Sequence, residues 1–236
     1  MELILNNITK SFENKRVLKN INFKFTKGNI YALLGRNGAG KTTLFNILAE
    51  ELKSDDGNAY ITIDGNREEL TSTDLSYVYS NPILPEFLTG YEFIKFFIDI
   101  NKDKLNNSLS IDDYFEVIKI NKEDSHKLIR SYSHGMKNKI QMLMFVITRP
   151  PIILLDEPLT SLDVVVALEI KRLLRKIRKD HIIIFSTHIL QLAKDLCDEI
   201  AILNDGKLTL MEKELLKYPD FEDQVIDMLK EKEDYA

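Results

Sequence analysis

The sequence predicts an α/β fold with a mostly parallel sheet, an N-terminal antiparallel β subdomain and an inserted α-helical subdomain. Short apolar runs alternate with helical patterns, which is typical of a parallel sheet with right-handed crossovers. Alternating apolar and polar residues near the N-terminus indicate half-buried strands that pair with each other. A stretch rich in Phe, Ile and Lys, with helical periodicity, separates the two halves of the chain.

The composition limits the class of protein. The chain has 236 residues, 44% of them hydrophobic and 29% charged, which suits one folded α/β domain with an insertion. The formal net charge of −5 argues against sequence-independent nucleic-acid binding, so no nucleic-acid partner is expected. The single cysteine, Cys197, excludes an internal disulfide framework and a Cys-based zinc site, and we expect it in the core.

The sequence shows no targeting or membrane-spanning segment. The first residues, MELILNNITKSF, lack the basic start and apolar run of a secretory signal. No apolar stretch approaches the roughly 20 residues that a spanning helix needs. If the protein works at a membrane, we therefore expect a separate subunit to anchor it. The Lys-, Asn- and Ile-rich composition is typical of bacteria with AT-rich genomes.

The N-terminal elements follow from local patterns. Residues 2–8 and 21–25 alternate apolar and polar positions, as half-buried strands do. The run Ile30–Leu34 is wholly apolar and is predicted to be a buried strand. Residues 42–51 have helical character, and residues 59–63 alternate again before an Asp-Gly turn signal.

The later elements complete the predicted division of the chain. We expect strands at 152–155, 182–185 and 200–203, and helices at 164–179 and 189–197. The predicted nucleotide-binding core with its β subdomain spans 1–80 and 136–210, the helical subdomain 81–135, and a charged C-terminal helical tail 211–236.

A phosphate-binding loop is the strongest single motif. The segment 35–42 reads GRNGAGKT, a full match to G-x-x-x-x-G-K-[ST], and it lies between a predicted strand and a predicted helix. Glycines let backbone N–H groups converge on an anion, and the helix N-terminus adds positive charge. Lys41 would reach the β- and γ-phosphates, and the Thr42 hydroxyl would hold Mg²⁺. The motif predicts a P-loop NTPase core that binds a nucleoside triphosphate.

Two adjacent acids end the predicted strand at 152–155. In a parallel sheet, ligands bind at this end of the strands, so Asp156 is a candidate Mg²⁺ residue and Glu157 a candidate to polarise water. A solvated Asp-Glu turn is the alternative. His188 follows the strand at 182–185 and could orient that water, or could simply cap a helix. The other histidines, His126, His134 and His181, are expected at the surface.

Together these motifs resemble the ATP-binding subunit of an ABC transporter. Residues 35–43 resemble its Walker A motif, with the cofactor-binding residues Asn37, Gly38, Gly40, Lys41, Thr42 and Thr43. Residues 132–137, YSHGMK, resemble the family signature through Ser133 and Gly135, although His134 replaces a glycine. Residues 152–157 resemble Walker B and 161–163 the D-loop, which contains Asp163. His188 matches the switch histidine, and Phe12 lies where an aromatic residue stacks on adenine.

The resemblance implies an activity and partners. It implies an ATPase that uses ATP and Mg²⁺, with Glu157 and His188 as catalytic residues. Ser133 and Gly135 of one subunit would face the ATP bound by the other in a head-to-tail homodimer or heterodimer. A separate transmembrane permease would hold the chain at the cytoplasmic, inner face of the cell membrane. The S-x-G-M-K signature is most similar to exporters of drugs, peptides or lipids.

Other functions fit the sequence less well. Soluble ABC-type ATPases that act on ribosomes or DNA carry tandem domains, zinc modules or long coiled coils, which this sequence lacks. A P-loop GTPase would need an N-K-x-D motif, and a P-loop kinase an acceptor pocket and lid. The signature around Ser133 argues against both.

The sequence also departs from the family pattern. A glutamine that touches Mg²⁺ usually begins the helical subdomain, and its position falls here on Ser80, beside Asn81. Serine is a shorter neutral ligand, so slow or partner-dependent hydrolysis is expected. The segment 87–100, FLTGYEFIKFFIDI, is unusually aromatic. Most of it should pack within its own subdomain, and a few side chains should meet a membrane subunit.

Overall fold

The computed structural model describes residues 1–71, 73–105, 109–159, 162–211 and 225. The strands are β1 (Glu2–Phe12), β2 (Lys15–Thr26), β3 (Ile30–Leu34), β4 (Asp56–Ile63), β5 (Asn66–Glu69), β6 (Leu75–Val78), β7 (Ile152–Asp156), β8 (Ile182–Thr187), β9 (Glu199–Asn204) and β10 (Lys207–Met211). The helices are α1 (Lys41–Leu48), α2 (Gly90–Asn101), α3 (Ile111–Val117), α4 (Lys122–Ser125), α5 (His134–Thr148), α6 (Val164–Ile177) and α7 (Leu190–Leu196).

The central sheet has the strand order β10-β9-β3-β8-β7-β6 and is parallel except for β10, which pairs antiparallel with β9. Its inner strands read as unbroken apolar runs because both of their faces are covered. In β3, Ile30, Ala32 and Leu34 belong to the apolar cluster that also contains α6 and α7 residues. The alternate residues Tyr31 and Leu33 pack with α1 and the N-terminal sheet. The predicted α/β fold is confirmed.

The N-terminal sheet has the order β2-β1-β4-β5 and is antiparallel throughout. It confirms the predicted antiparallel β subdomain, although β1 and β2 are longer than the alternating patterns that predicted them. Strand β5, which reads NREE and is exposed along its length, was not predicted. It has no apolar alternation to detect, and the turn at Asp64 and Gly65 pairs it with β4. The short strands β6 and β10 were also missed.

The helical subdomain has its own apolar cluster, formed by residues of α2, α3 and α5. Thr89 caps the N-terminus of α2 and Ser110 that of α3, each in a reciprocal capping box with the acid three residues later. Helix α5 belongs to both parts of the molecule. Its residues Ile140 and Leu143 pack in the helical subdomain, and Phe145 packs in the core of the parallel sheet. The predicted boundary at 135/136 therefore falls at the start of a helix that the two parts share.

The structure corrects the predicted surface position of His181 and the predicted helical start of the tail at Met211. Most of the tail lies outside the described residues. His181 is buried, not at the surface, and its Nδ1 lies 2.6 Å from the carbonyl oxygen of Pro150. Its burial lowers the pKa of the His181 imidazole. Met211 ends strand β10 rather than beginning a tail helix. Of the rest of the predicted tail, only Val225 is described, and it is helical and buried in the core. Cys197 packs against the core, and burial raises the pKa of its thiol to about 12.

Helix α6 offers a matched test of this packing. Leu174 is 0% exposed, whereas Leu168 on the same helix is 46% exposed. We expect Leu174→Ala to lower the free energy of unfolding by about 2–5 kcal/mol through lost burial and a cavity. Leu168→Ala should change it by no more than about 0.5 kcal/mol. Urea denaturation of the nucleotide-free chain measures both, and equal losses would contradict the placement of α6.

Candidate nucleotide site

The phosphate loop lies between the end of β3 at Leu34 and the start of α1 at Lys41. Gly38 and Gly40 have φ values of 80° and 104°, in the region that side chains disfavour. A Cβ on Gly40 would also lie 2.8 Å from Cγ1 of Val17 on β2. Glycine at position 40 therefore serves both the backbone turn and the close packing of β2 against the loop.

Lys41, the first residue of α1, is buried against this loop. Its ammonium donates to the carbonyl oxygens of Gly35 at 2.8 Å and Arg36 at 3.1 Å. Burial lowers the pKa of Lys41, and the nearby carboxylates of Glu157 and Asp156 act in the opposite direction. A buried cation that is held against a glycine-rich loop is suited to bind a phosphate oxygen.

Asp156 joins three other elements to β7. Its Oδ2 accepts a hydrogen bond from the Thr42 hydroxyl at 2.9 Å, and its Oδ1 accepts one from the Ser186 hydroxyl at 2.5 Å. The Tyr77 phenol on β6 donates to Oδ2 at 3.4 Å. Burial, followed by the charge of Asp156, raises the pKa of the Tyr77 phenol. Asp156 itself is buried, and these donors compensate its desolvation.

Glu157 adopts an unusual backbone conformation, with φ at 47°. Its N–H donates to Oγ of Ser186 at 3.0 Å, so one buried serine contacts both acids. Its Oε1 lies 2.8 Å from Nδ1 of His188. The sequence prediction assigned no role to Ser186, although a polar residue directly after the apolar run 182–185 is a signal that could have identified it.

Most of the predicted site residues line one cleft of about 340 Å³. It is lined by Phe12, Val17, Asn37, Gly38, Gly40, Lys41, Thr42, Thr43, Ser80, Asp156 and Glu157. Val17 is the lining residue that sequence analysis missed. His188 contacts Glu157 without lining the cleft, and Ser133, Gly135 and Asp163 lie outside the lining.

Three of the residues outside the cleft, Ser133, Gly135 and Asp163, lie at the starts of two helices. Ser133 caps α5 through a hydrogen bond that its Oγ accepts from the N–H of Met136 at 3.2 Å. Asp163 caps α6 by accepting from the N–H groups of Val165 and Val166 at 2.9 and 3.0 Å. The two helix starts are adjacent, since a Cβ on Gly135 would lie 3.4 Å from Cγ2 of Val166. Ser161 of the predicted D-loop lies outside the described residues.

The cleft has donors that fit Mg²⁺. Its metal candidates Thr42, Asp156 and Ser80 offer only oxygen atoms, the ligands that Mg²⁺ prefers. Within the described ranges there is no group of three or more His, Cys, Asp or Glu residues that could hold a metal by itself. This donor set suits an ion that shares its coordination with phosphate oxygens and water.

Comparison with known proteins identifies the family. The family model described as ABC transporter matches residues 18–160, which is more than half of the chain. The chain belongs to the ABC transporter family. It is an ABC ATPase domain.

Two curated relatives come from Bacillus subtilis strain 168, and both are uncharacterized ABC transporter ATP-binding proteins. YxlF is 29% identical over 210 residues, which cover 88% of this chain and 69% of YxlF. YcbN is 29% identical over 211 residues, which cover 86% of this chain and 66% of YcbN.

The fold is shared with solved ABC structures. An ATP-binding subunit of an ABC transporter superposes with a TM-score of 0.80 at 22% identity, covering 98% of this chain and all of that one. The dimeric ATP-binding cassette MJ0796, in a post-hydrolysis state with ADP and Pi, gives a TM-score of 0.75 at 22% identity. That match covers 89% of this chain and 98% of the cassette. None of the helices in the described ranges is long and apolar enough to cross a bilayer.

The double contact of Ser186 generates a prediction. We expect Ser186→Ala to lower kcat for ATP hydrolysis by up to about 100-fold, because Glu157 loses its backbone anchor and shifts from its position. The KM for ATP should change much less, since the phosphate loop is intact. A steady-state ATPase assay measures both constants.

Ser125 supplies the control for this variant. It is a buried serine of the helical subdomain that donates to the carbonyl oxygen of Lys122 at 2.8 Å. Ser125→Ala should cost about 1–3 kcal/mol of stability, like Ser186→Ala, and leave kcat unchanged. If the two variants lose kcat equally, Ser186 has no specific part in the site.

Proposed function

We propose that this chain is the ATP-hydrolysing subunit of a membrane ABC transporter of the exporter type, which moves a drug, a peptide or a lipid. The observation that carries the proposal is the contact between Glu157 and His188 at the edge of a cleft that also contains the phosphate loop. This arrangement sets a carboxylate beside the place where a γ-phosphate would lie. The S-x-G-M-K form of the signature, residues 133–137, supports the exporter class.

Each residue of the cleft has a role in this proposal. Phe12 is half-exposed at the end of β1 and would stack on the adenine ring. Asn37, Gly38, Gly40, Thr43 and the charge of Lys41 would bind the phosphates.

Thr42, Asp156 and Ser80 would hold Mg²⁺, which neutralises phosphate charge when it is bound. Glu157 would polarise the attacking water, and His188 would orient both the Glu157 carboxylate and the γ-phosphate.

The residues outside the cleft fit a head-to-tail dimer. Ser133 and Gly135 lie at the N-terminal end of α5, where a hydroxyl and free N–H groups can bind phosphate. In a dimer they would face the ATP held by the other subunit, and Asp163 would lie near the same interface. The dimeric MJ0796 cassettes support this assembly. The second subunit would be an identical copy or a different ATPase.

The helical subdomain offers a surface for a permease. Ile83, Phe87, Phe96 and Ile100 are exposed apolar side chains on and before α2, with Phe87 78% exposed. Such a patch suits an apolar helix of a membrane subunit. Binding there would place the chain at the cytoplasmic face of the membrane, as a peripheral subunit. Action on ribosomes or DNA is the alternative, and the net charge of −5 argues against it.

The variant Glu157→Gln tests the catalytic and dimer assignments. It keeps the shape of the side chain and removes the charge that polarises water, so hydrolysis should fall by about 100-fold or more. ATP binding should persist, and the bound ATP should stabilise a dimer in size-exclusion chromatography with light scattering. Lys41→Ala is the control that should bind no ATP and stay monomeric with it.

The same variant tests the partner. Tagged Glu157→Gln chain, purified with ATP from detergent-solubilised membranes of the native host, should retain a polytopic membrane protein in stoichiometric amount. A second ATPase in the eluate would identify a heterodimer. Recovery of ribosomal or DNA-repair proteins without a membrane subunit would overturn the transporter assignment and leave the ATPase chemistry intact.

The Ser80 position carries its own prediction. Ser80→Gln restores a longer ligand, so kcat of the isolated chain should rise by up to about tenfold, the value of one hydrogen bond. Asn81→Gln is the matched control, because Asn81 is adjacent, exposed and outside the cleft lining. Brisk hydrolysis by the unmodified chain that Ser80→Gln does not change would contradict the prediction.

A further inference from the structure

Gln141 makes an unusual pair of contacts from the middle of α5. Its Oε1 accepts a hydrogen bond from the N–H of Tyr79, and its Nε2 donates to the carbonyl oxygen of Tyr79, each at 3.3 Å. The side chain is 5% exposed, although glutamine usually lies at the surface. The buried amide of Gln141 therefore pairs with both the N–H and the carbonyl oxygen of Tyr79. It supplies the hydrogen bonds that a neighbouring β-strand would otherwise supply.

The strand topology explains why Tyr79 needs this partner. Strand β6 is at the edge of the parallel sheet, and its register with β7 ends at the pair Val78 and Leu155. The ladder therefore stops one residue before Tyr79. Buried backbone groups need hydrogen-bond partners, and Gln141 supplies both for the half-buried Tyr79. The next residue along the chain is Ser80, which lines the nucleotide cleft.

The side chain of Tyr79 connects the same segment to the phosphate-loop helix. Its phenol donates to Glu51, which follows the end of α1, and burial raises the pKa of that phenol to about 12. The ring packs on Tyr77 with centroids 4.4 Å apart. Tyr77 in turn donates to Asp156. The segment before Ser80 is thus held by α1, by β7 and, through Gln141, by α5.

We propose that Gln141 is a positioning residue that fixes Ser80 in the nucleotide cleft and ties its position to that of α5. Helix α5 begins at the Ser133 cap, and Gln141 lies two turns later on the same rigid element. A displacement of the signature end of α5 therefore moves the backbone that carries Ser80. This inference rests on the proposed function, because it gives Ser80 the role at bound nucleotide that was proposed above.

Asn138 on the same helix provides a matched control. It is 2% exposed, and its Nδ2 donates to the carbonyl oxygen of His134 within the helix, at 3.3 Å. Asn138→Leu removes a buried amide from α5 without touching Tyr79. Gln141→Leu removes a buried amide of similar size together with both contacts to Tyr79.

The first experiment measures the contact itself, in the nucleotide-free chain. Hydrogen exchange of the peptide that contains Tyr79 should be about tenfold faster in Gln141→Leu, the effect expected for one lost hydrogen bond. Asn138→Leu should leave that peptide unchanged. Gln141→Glu keeps an acceptor for the Tyr79 N–H but sets a second oxygen against the Tyr79 carbonyl oxygen, so it should protect the peptide less than Gln141 does. Equal exchange in Gln141→Leu and the unmodified chain would overturn the proposal.

The second experiment is a double-mutant cycle on ATP hydrolysis. Gln141→Leu and Ser80→Ala should each lower kcat by a similar factor with little change in KM, and the double variant should be no slower than either. Additive losses would overturn the proposal, because they would mean that Gln141 acts apart from Ser80.

The cycle also separates the two proposals. If Ser80→Ala lowers kcat and Gln141→Leu does not, the role of Gln141 is wrong and the role of Ser80 stands. If Ser80→Ala leaves kcat unchanged, the Ser80 assignment fails and this inference fails with it. Glu157→Gln reports independently whether the ATPase assignment holds.

Discussion

The buried carboxylate of Asp156 is the point at which the parts of the site meet. It ends β7 and accepts hydrogen bonds from Thr42 on α1, Ser186 on β8 and Tyr77 on β6. A buried charge is costly unless polar groups surround it, so these donors must stay where they are for the fold to be stable. The same requirement fixes the phosphate loop, the Glu157 backbone and the edge strand relative to one another. Asp156 thus links the stability of this region to the geometry of the site.

The parallel sheet supplies the rigidity behind that group. Its inner strands are covered on both faces, by the helices on one side and by α1 with the antiparallel sheet on the other. Interiors of this kind are closely packed and transmit strain. The phosphate loop, the two acids and His188 lie at the carboxyl ends of β3, β7 and β8. The conformational strain at Glu157 is held in place by this frame.

Helix α5 relates the nucleotide cleft to the rest of the molecule. It starts at Ser133, packs in the helical subdomain through Ile140 and Leu143, and packs in the sheet core through Phe145. Gln141, between these contacts, reaches the segment before Ser80. Helix α5 therefore connects Ser133, which is proposed to face a second subunit, with the segment before Ser80, which is proposed to bind nucleotide. A subunit that couples ATP hydrolysis to a membrane partner needs such a mechanical connection.

The sequence alone predicted the fold class and most of the residues that line the cleft. Apolar runs such as Ile30–Leu34 predict buried strands because both faces must exclude water, and the glycine-rich segment before Lys41 predicts a phosphate loop because few other functions require that spacing. These signals are local. Strand β5 carried no such signal, because its exposed residues depend on pairing with β4 rather than on burial.

Only the tertiary structure revealed the supporting contacts. Ser186 lies 30 positions from Asp156 in the sequence, and Gln141 lies 62 from Tyr79, so no local pattern relates either pair. His181 is likewise buried by a contact with a distant residue, Pro150, that no local pattern predicts. Side-chain hydrogen bonds between distant residues are set by which elements become neighbours, and packing decides that. The sequence specified which groups can do chemistry, and the assembled sheet and helices decided which of them meet.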